Sequence, residues 1–449
     1  MALIYSARWL LPISSPPIDD GAIAIEGQTI LAVGPISEIK ASFPDAPVTH
    51  FGDSAILPGF VNAHSHLELT VMRGFLENEE GDFFAWLRKL TIARLAMTSE
   101  DLFASSMCGA IEAARAGITC LGDSSSFAVQ SMRALKEIGL RGVVYQESFG
   151  PDARIAAENL ARLRDQVSEM LALQTAEVRA GVSPHAPYTV SGPQLELISR
   201  LAINESLPLM MHAAESEAER SFMLEGAGPF ADGLQKRGIE WRAPGVSTIQ
   251  YLGRHGVLDT RPLLAHCINV DEADLEIIKA QRAGVAHCPK SNAKLRHGRA
   301  PFRQFIKAGI NVGLGSDSVA SNNTCDILEE ARFATLLTRL DRDADSINAE
   351  QALYAATLGG ARAMGLDDRI GSLEEGKQAD LTVVSLDSAH QQPATSPVDA
   401  LIFSSSGRDV ILTVVAGKEI YCENGLTTVN ENDFLTRVRD MRSRLEPSA

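Results

Sequence analysis

The sequence predicts an α/β protein: a (β/α)8 barrel joined to a small β-sandwich domain that both chain ends build. Three observations carry this expectation. Eight short apolar runs alternate with helix-like stretches through the middle of the chain. The two ends read instead as short strands punctuated by turn residues. Reactive side chains recur where the eight runs end, the edge at which a barrel carries its chemistry.

The N-terminal segment supplies Ala2–Leu11, Gly21–Ile25 and Thr29–Val33, broken by Pro16-Pro17, Asp19-Asp20-Gly21 and Glu26-Gly27-Gln28. The eight runs follow: Ile56–Ala63, Gly117–Asp123, Gly142–Glu147, Arg179–Ser183, Pro208–Ala213, Pro262–Cys267, Gly284–Cys288 and Asn311–Gly315. Between them lie helical patterns over Ser99–Ala116, Gln130–Ile138, Ile155–Leu173, Gly192–Ile203, Val270–Ala283 and Pro301–Ala308. The tail returns to β-like runs at Asp380–Ser385, Asp399–Phe403 and Val410–Ala416, turns at Gly417-Lys418 into Glu419–Cys422, and closes on a charged helix over Asn430–Leu445. The expected division is residues 1–55 with 369–449 as a composite β domain, and 56–368 as the barrel. An open doubly wound sheet is the alternative. It would normally carry a glycine-rich phosphate loop, and neither G-x-G-x-x-G nor G-x-x-x-x-G-K-[ST] occurs.

Size and composition agree. A chain of 449 residues suits one barrel of about 250 residues plus a smaller unit. Apolar residues at 45% and charged residues at 22% are the ordinary globular mix, which excludes wholesale disorder. Lys plus Arg is 41 and Asp plus Glu is 57, a net charge of −16. That balance lacks the broad positive field that nucleic acid or an anionic membrane requires, so the expected partner is a small molecule. Six cysteines, at positions 108, 120, 267, 288, 325 and 422, include no C-x-x-C and are expected as free thiols of a reducing compartment. The N-terminus does not read as a signal peptide and no apolar run reaches membrane length, so the expected location is cytoplasmic.

The run ends concentrate chemistry. The first ends in His64-Ser65-His66, the fourth leads into His185, the fifth ends at His212 with Glu215 three residues on, the sixth at His266, and the eighth leads into Asp317. His-x-His on an extended segment turns both rings to one side, because side chains alternate with period two. Two imidazoles on one face, joined by a further histidine and a carboxylate from other strands, suit Zn²⁺ or Fe²⁺ with room for a water. His50, His255, His297 and His390 read as structural or exposed, and His287 is balanced between a structural and a supporting role.

Pro58-Gly59-Phe60-Val61-Asn62-Ala63-His64-Ser65-His66 resembles the first-strand motif of the amidohydrolase superfamily. His212-Ala213-Ala214-Glu215, Ala265-His266-Cys267 and Gly315-Ser316-Asp317 look like its later metal and catalytic motifs, and Gly371-Ser372-Leu373 with Gly376–Leu381 like its return to the small β domain. Ser183–Tyr188 and Ser321-Asn322-Asn323 are similar to motifs of the methylthioadenosine/S-adenosylhomocysteine deaminases in the deaminase and chlorohydrolase branch. No lysine lies between Lys136 and Lys236, so nothing can carry the metal-bridging carbamate of two-metal relatives, and one ion is expected. The resemblance implies His64, His66, His212 and Asp317 as ligands of one divalent metal, zinc before iron. It implies His266 as the group that orients the attacking water, Glu215 as proton shuttle, and Asp317 as acceptor of the water's proton. A metal lowers the pKa of bound water from about 15.7 toward about 7.

For the substrate, the resemblance implies contacts from His185 and Trp86. The sequence departs from those deaminases at Thr91–Leu95, where a ribose-binding carboxylate is expected. It departs again at the third run, where Gln146 and then Glu147 stand in place of an arginine; Arg154 is a loose match for a second arginine. A 6-aminopurine nucleoside is the expected substrate, of adenosine, methylthioadenosine, S-adenosylhomocysteine or aminodeoxyfutalosine type. The alternatives are a guanine, pterin or cytosine deaminase, an s-triazine chlorohydrolase, or a non-catalytic scaffold of the same fold. A homo-oligomer is left open.

Overall fold

The structure is a computed structural model and describes residues 1–340, 346–423 and 425–445. Eight parallel strands form the barrel. Strands β1 (Phe60–Ser65), β2 (Ile118–Ser125), β3 (Arg141–Ser148) and β4 (Val178–Pro184) make one sheet; β5 (Met210–Ala213), β6 (Leu263–His266), β7 (Gly284–His287) and β8 (Val312–Leu314) make the other. Parallel bridges from Val182 to Leu209 and from Ser65 to Asp317 close the two sheets into a ring. Every residue of β1, β2 and β3 is buried. A strand covered on both faces must read as a continuous apolar run, which is why these segments stand out in the sequence. Inside the ring, Val61, Ala63, Cys120, Val143, Tyr145, Met210, Leu263 and Ala265 pack on Ala361, Ala363 and Met364 from the segment after β8.

The two chain ends meet in one nine-stranded sheet. Leu3–Leu10 pairs with Ile18–Glu26, which pairs with Thr29–Pro35. From the C-terminal side, Leu381–Ser385 pairs with Val410–Val415, and that strand with Lys418–Cys422. The strand Ser54–Pro58 joins the two groups, pairing with Leu3–Leu10 on one edge and Leu381–Ser385 on the other. The strands expected as a sandwich are thus hydrogen-bonded into a single sheet, and Tyr5, Leu10, Ile23, Ile56, Leu381 and Val414 share one core.

Two sequence expectations change. The run Ile56–Ala63 is two strands, because the chain passes from the small sheet to the barrel at Gly59. A side chain there would place its Cβ 2.0 Å from Thr119, so only glycine permits the crossing. Asp399–Phe403 belongs to a helix, Pro397–Phe403, whose first turn is set by Pro397 and by Ser396 accepting from the Asp399 amide. Trp86 sits on a helix, Phe83–Leu95, started by Asp82, whose carboxylate accepts from the Phe84 and Ala85 amides. All six cysteines are free thiols. No helix among the described residues is long and apolar enough to cross a membrane.

One buried ion pair ties the barrel floor to the small sheet. Arg141, the first residue of β3, binds Asp380 through Nε to Oδ2 at 2.7 Å and Nη2 to Oδ1 at 3.0 Å. Asp380 Oδ1 also accepts from the Ala416 amide at 2.8 Å. Removing one partner leaves the other charge dry and unpaired. Arg141→Leu should therefore cost about 3–5 kcal/mol, read as a lowered midpoint of denaturant unfolding, with Asp380 then the uncompensated group.

Candidate active site

The ends of β1, β5 and β6 and the turn after β8 converge on one buried point. The order in β1 is strict: Asn62, His64 and the backbone of Ser65 face the ring closure, where the Asp317 amide donates to the His64 carbonyl at 2.9 Å. The His64 Nε2 lies 3.3 Å from Asp317 Oδ1, and His66 Nε2 lies 3.5 Å from the same oxygen. His66 Nε2 and His212 Nε2 approach to 3.2 Å. His266 is adjacent, its ring centre 5.6 Å from those of His64 and His212. The backbone is held in the left-handed region at Ala214, His266 and Asp317, with φ of +52°, +71° and +55°. Such conformations cost on the order of 1–3 kcal/mol each, and here they turn three strand ends toward one point.

The donor set fits a divalent cation. Both ring nitrogens of the buried His64 lack a hydrogen-bond partner. His212 Nδ1 is engaged by the His185 carbonyl at 2.9 Å, which places the proton on Nδ1 and leaves Nε2 as a lone pair. Three imidazoles and a carboxylate oxygen brought this close together suit a positive ion. The residues able to hold it are His64, His66, His212 and Asp317, with His266 beside them.

Burial opposes the ionisation of Asp317, yet the adjacent His64 imidazole, with His266 and His66 near it, holds its carboxyl well below the usual range. Its second oxygen, Oδ2, accepts from Ser291 Oγ at 2.5 Å and Ser321 Oγ at 3.1 Å. Glu215 is also driven toward the carboxylate: burial resists, but His266 and His297 overcome it. Its Oε1 lies 3.7 Å from His266 Nε2, and its Oε2 accepts from the Tyr188 hydroxyl at 3.4 Å. Glu219 fixes the backbone there, accepting from the Ala214 amide at 2.8 Å and the Glu215 amide at 2.9 Å. Burial pushes the Glu219 carboxyl up to about 7.

The remaining site residues separate into two groups. His185 and Trp86 line the cavity with His66, His212, Glu215 and Asp317. Burial is the main cause that lowers His185 to about 3, and its Nδ1 pairs with Thr189 Oγ1 at 2.9 Å. Glu147 also lines the cavity; burial opposes its ionisation, but His185, His66 and Arg94 lower it to about 2. Gln146 and Arg154 are corrections. Along β3, Val143 and Tyr145 point into the barrel core and Glu147 continues that face, so Gln146 points to the other side by the strand's own alternation. Its amide holds the Ser126 carbonyl at 2.8 Å, away from the cavity. Arg154 is exposed and forked on Asp152, in a separate hollow with Trp241. His287 packs on Phe302 outside the cavity, with ring centres 5.0 Å apart.

Several contributors went unread in the sequence. Arg94, on the helix Phe83–Leu95, reaches the cavity between Glu68 and Glu147, 3.8 Å from each, and donates to Ser126 Oγ at 2.8 Å. Phe83, Leu87 and Leu90 of the same helix form an apolar wall beside Trp86. Asn292 Oδ1 lies 2.9 Å from His266 Nδ1. His297, expected to be structural or exposed, sits 3.4 Å from Glu215. The one signal for it was its place in the segment after β7, at the barrel end where chemistry collects. A roomier hollow of about 620 Å³ lies at the N-terminal end of β8; its lining mixes apolar residues with Glu350, Gln351 and Arg362, contains no histidine, and is remote from these groups.

Fold and site together define a metal-dependent barrel hydrolase. The chain belongs to the amidohydrolase family, whose profile matches residues 55–420, and it is a hydrolase of C–N bonds. A bacterial imidazolonepropionase-like composite domain matches residues 21–46. The chain is 32% identical to 5-methylthioadenosine/S-adenosylhomocysteine deaminases of Thermoanaerobacter pseudethanolicus, over 96% of this chain and 95% of the relative, and of Syntrophobacter fumaroxidans, over 96% and 94%. Among solved structures, an adenosine deaminase from Xanthomonas campestris with bound zinc superposes with a TM-score of 0.87 at 29% identity, covering 99% of this chain and 98% of that one. The zinc complex of atrazine chlorohydrolase from Arthrobacter aurescens shares the fold, with a TM-score of 0.85 at 20% identity and coverage of 98% and 100%.

Two measurements follow. Elemental analysis of the purified chain should find about one divalent ion per chain, and His212→Asn should lose it, since a ligand position is removed. For Glu219, the folded value of about 7 lies above the ordinary 4.5. The fold therefore favours the protonated form, and its contribution is full below pH 4.5 and is lost as pH rises through about 7. Unfolding free energy measured across that window should fall less steeply with pH in Glu219→Gln than in the parent chain.

Proposed function

We propose that the chain is a zinc-dependent aminohydrolase with one metal ion, acting on an aminated N-heterocycle, with a 6-aminopurine nucleoside as substrate class. The observation that carries this reading is the position of Glu215. Its carboxylate stands between His266 and Tyr188 at the edge of the histidine cluster and lines the same cavity as Trp86 and His185. Expelling ammonia requires a proton at the ring and at the leaving nitrogen, and a carboxylate in this place can carry one there from water.

The ligands proposed for the ion are His64, His66, His212 and Asp317. When bound, the cation supplies Lewis acidity that makes water acidic near neutral pH. Asp317 Oδ1 accepts a proton from the attacking water. His266, with its Nδ1–H on Asn292, offers Nε2 as an acceptor that aims the same water. Glu215 carries a proton to a ring nitrogen, so that the adjacent carbon takes up the oxygen. Asp317 passes its proton to the exocyclic nitrogen, the bond to that nitrogen breaks and ammonia leaves, and the hydroxyl proton returns to Glu215 as the ring keeps a carbonyl.

The substrate class rests on the cavity wall. Phe83, Trp86, Leu87 and Leu90 offer a flat apolar side for a purine, and Glu147 Oε1, buried without a partner, offers an acceptor for the substrate's own donors. Arg154 lies in another hollow and Arg94 is occupied by Ser126 and two carboxylates, so among the described residues no free arginine lines this cavity to meet an amino-acid carboxylate. That favours nucleosides without such a tail over S-adenosylhomocysteine.

The deciding experiment is ammonia release by the zinc-loaded chain against adenosine, methylthioadenosine, S-adenosylhomocysteine, aminodeoxyfutalosine, guanine, cytosine and a pterin. Turnover of a 6-aminopurine nucleoside is expected, with Glu215→Gln lowering it by about 10²–10⁴-fold. Silence across the panel by metal-loaded protein would overturn the deaminase reading and turn the search to chloride and amide substrates.

A further inference from the structure

The mechanism just given leaves His297, beside Glu215, unused. His297 is 6% exposed at its side chain, and its Nδ1 lies 3.4 Å from Glu215 Oε1. Neither ring nitrogen makes a hydrogen bond to any described residue, and Glu215 Oε1 is the acceptor that Nδ1 faces. The ring is held edge-on against Phe83, with centres 4.5 Å apart. Its backbone amide donates to the Asn292 carbonyl at 2.9 Å. The same Asn292 meets His266 Nδ1 through its side chain, so one residue anchors both imidazoles that flank Glu215.

The two imidazoles are not equivalent. With its Nδ1–H given to Asn292, neutral His266 presents a lone pair at Nε2, and a lone pair cannot donate to a carboxylate. His266 Nε2 is 3.7 Å from Glu215 Oε1, a distance and polarity that suit a shared water rather than a direct bond. Tyr188 serves only Oε2. Among the described residues, the nitrogen nearest to Glu215 Oε1 is therefore His297 Nδ1, at 3.4 Å.

We propose that His297 is the positioning residue for Glu215: its Nδ1–H holds Oε1 and fixes the rotation of the carboxylate, so that the same oxygen is presented to the substrate in every turnover. This rests on the reading of Glu215 as the proton carrier. It assigns a function to a side chain that reaches the site from the segment after β7, beyond the histidines that end the strands. A proton carrier free to rotate about its last bond loses the alignment that makes transfer fast, so the consequence falls on turnover rather than on binding.

The test uses the full, zinc-loaded chain with His297→Leu, which removes the donor, and His297→Gln, which keeps an N–H near the same place. With the substrate identified by the panel, His297→Leu is expected to lower kcat by about 10²-fold while KM stays within about twofold. Loss of the donor destabilises the carboxylate, so the acidic limb of the pH profile should move to higher pH. His297→Gln should recover most of the rate and return the limb, and metal content should match the parent in both. A His297→Leu enzyme with parental kcat and pH profile would overturn the proposal, as would equal losses in both variants. A second readout needs no turnover. In the [¹⁵N]histidine-labelled chain, the ring signal that disappears in His297→Gln should shift in Glu215→Gln and stay in place in Glu196→Gln, whose carboxylate faces His255. An unmoved signal in Glu215→Gln would refute the pairing. If the parent chain releases no ammonia from any compound, the deaminase reading fails, and the spectroscopic comparison still decides whether His297 holds Glu215.

Discussion

The site depends on a single hydrogen bond at the seam of the barrel. The Asp317 amide donates to the His64 carbonyl, and a parallel bridge joins Ser65 to Asp317. Only when the ring closes there do a carboxylate from the end of the barrel and two histidines from its beginning come within one ion's reach. The seam is tight. At Gly315 a Cβ would stand 2.9 Å from the His64 Cβ and 2.9 Å from the Cys288 sulfur, so any side chain would push β8 away from β1. Asn62 locks the join from below, donating to Ser316 Oγ at 2.7 Å and accepting from the Ser316 amide at 3.0 Å.

Around the seam, short segments hold the reactive groups from behind. The helix Pro289–Lys294 contributes twice: Ser291 donates to Asp317, and Asn292 meets His266. Glu219 grips two successive amides and accepts from Thr248 Oγ1 at 2.7 Å, which fixes the chain that bears Glu215. Asp123 accepts from the Leu67 amide at 2.7 Å and from Ser65 Oγ at 3.0 Å, and so fixes the turn after His66. These side chains face buried amides or hydroxyls that would otherwise be left unsatisfied, and orienting the reactive groups and satisfying the backbone are here one task.

The cavity's far side has a different character. Arg94 lies between Glu68 and Glu147, and Glu68 accepts from Ser125 Oγ and the Ser126 and Phe127 amides. Two carboxyls against one guanidinium leave a wall that repels anions and accepts hydrogen bonds. The apolar side of the helix Phe83–Leu95 completes the enclosure. Polarity is thus divided between an apolar wall and an accepting acidic wall, so that a few polar groups orient whatever the apolar side encloses.

Much of this was legible in the chain. Buried parallel strands must be continuously apolar, so the eight runs announced the barrel. Period-two alternation put His64 and His66 on one face, and applied to β3 it also explains why Glu147 faces the cavity and Gln146 does not. The helix at Pro397–Phe403 was misread because a short apolar run has no period of its own, and its cap, Ser396, decided the outcome. What the sequence by itself determined was the barrel and the set of histidines and acids at the strand ends, because burial and alternation are local consequences of residue order. What only the tertiary structure decided was the company those residues keep: Arg94 between two carboxylates, Arg154 turned away, and His297 against Glu215. Those contacts join segments far apart in the chain, and nothing in local residue order specifies a distance between them until the ring has closed.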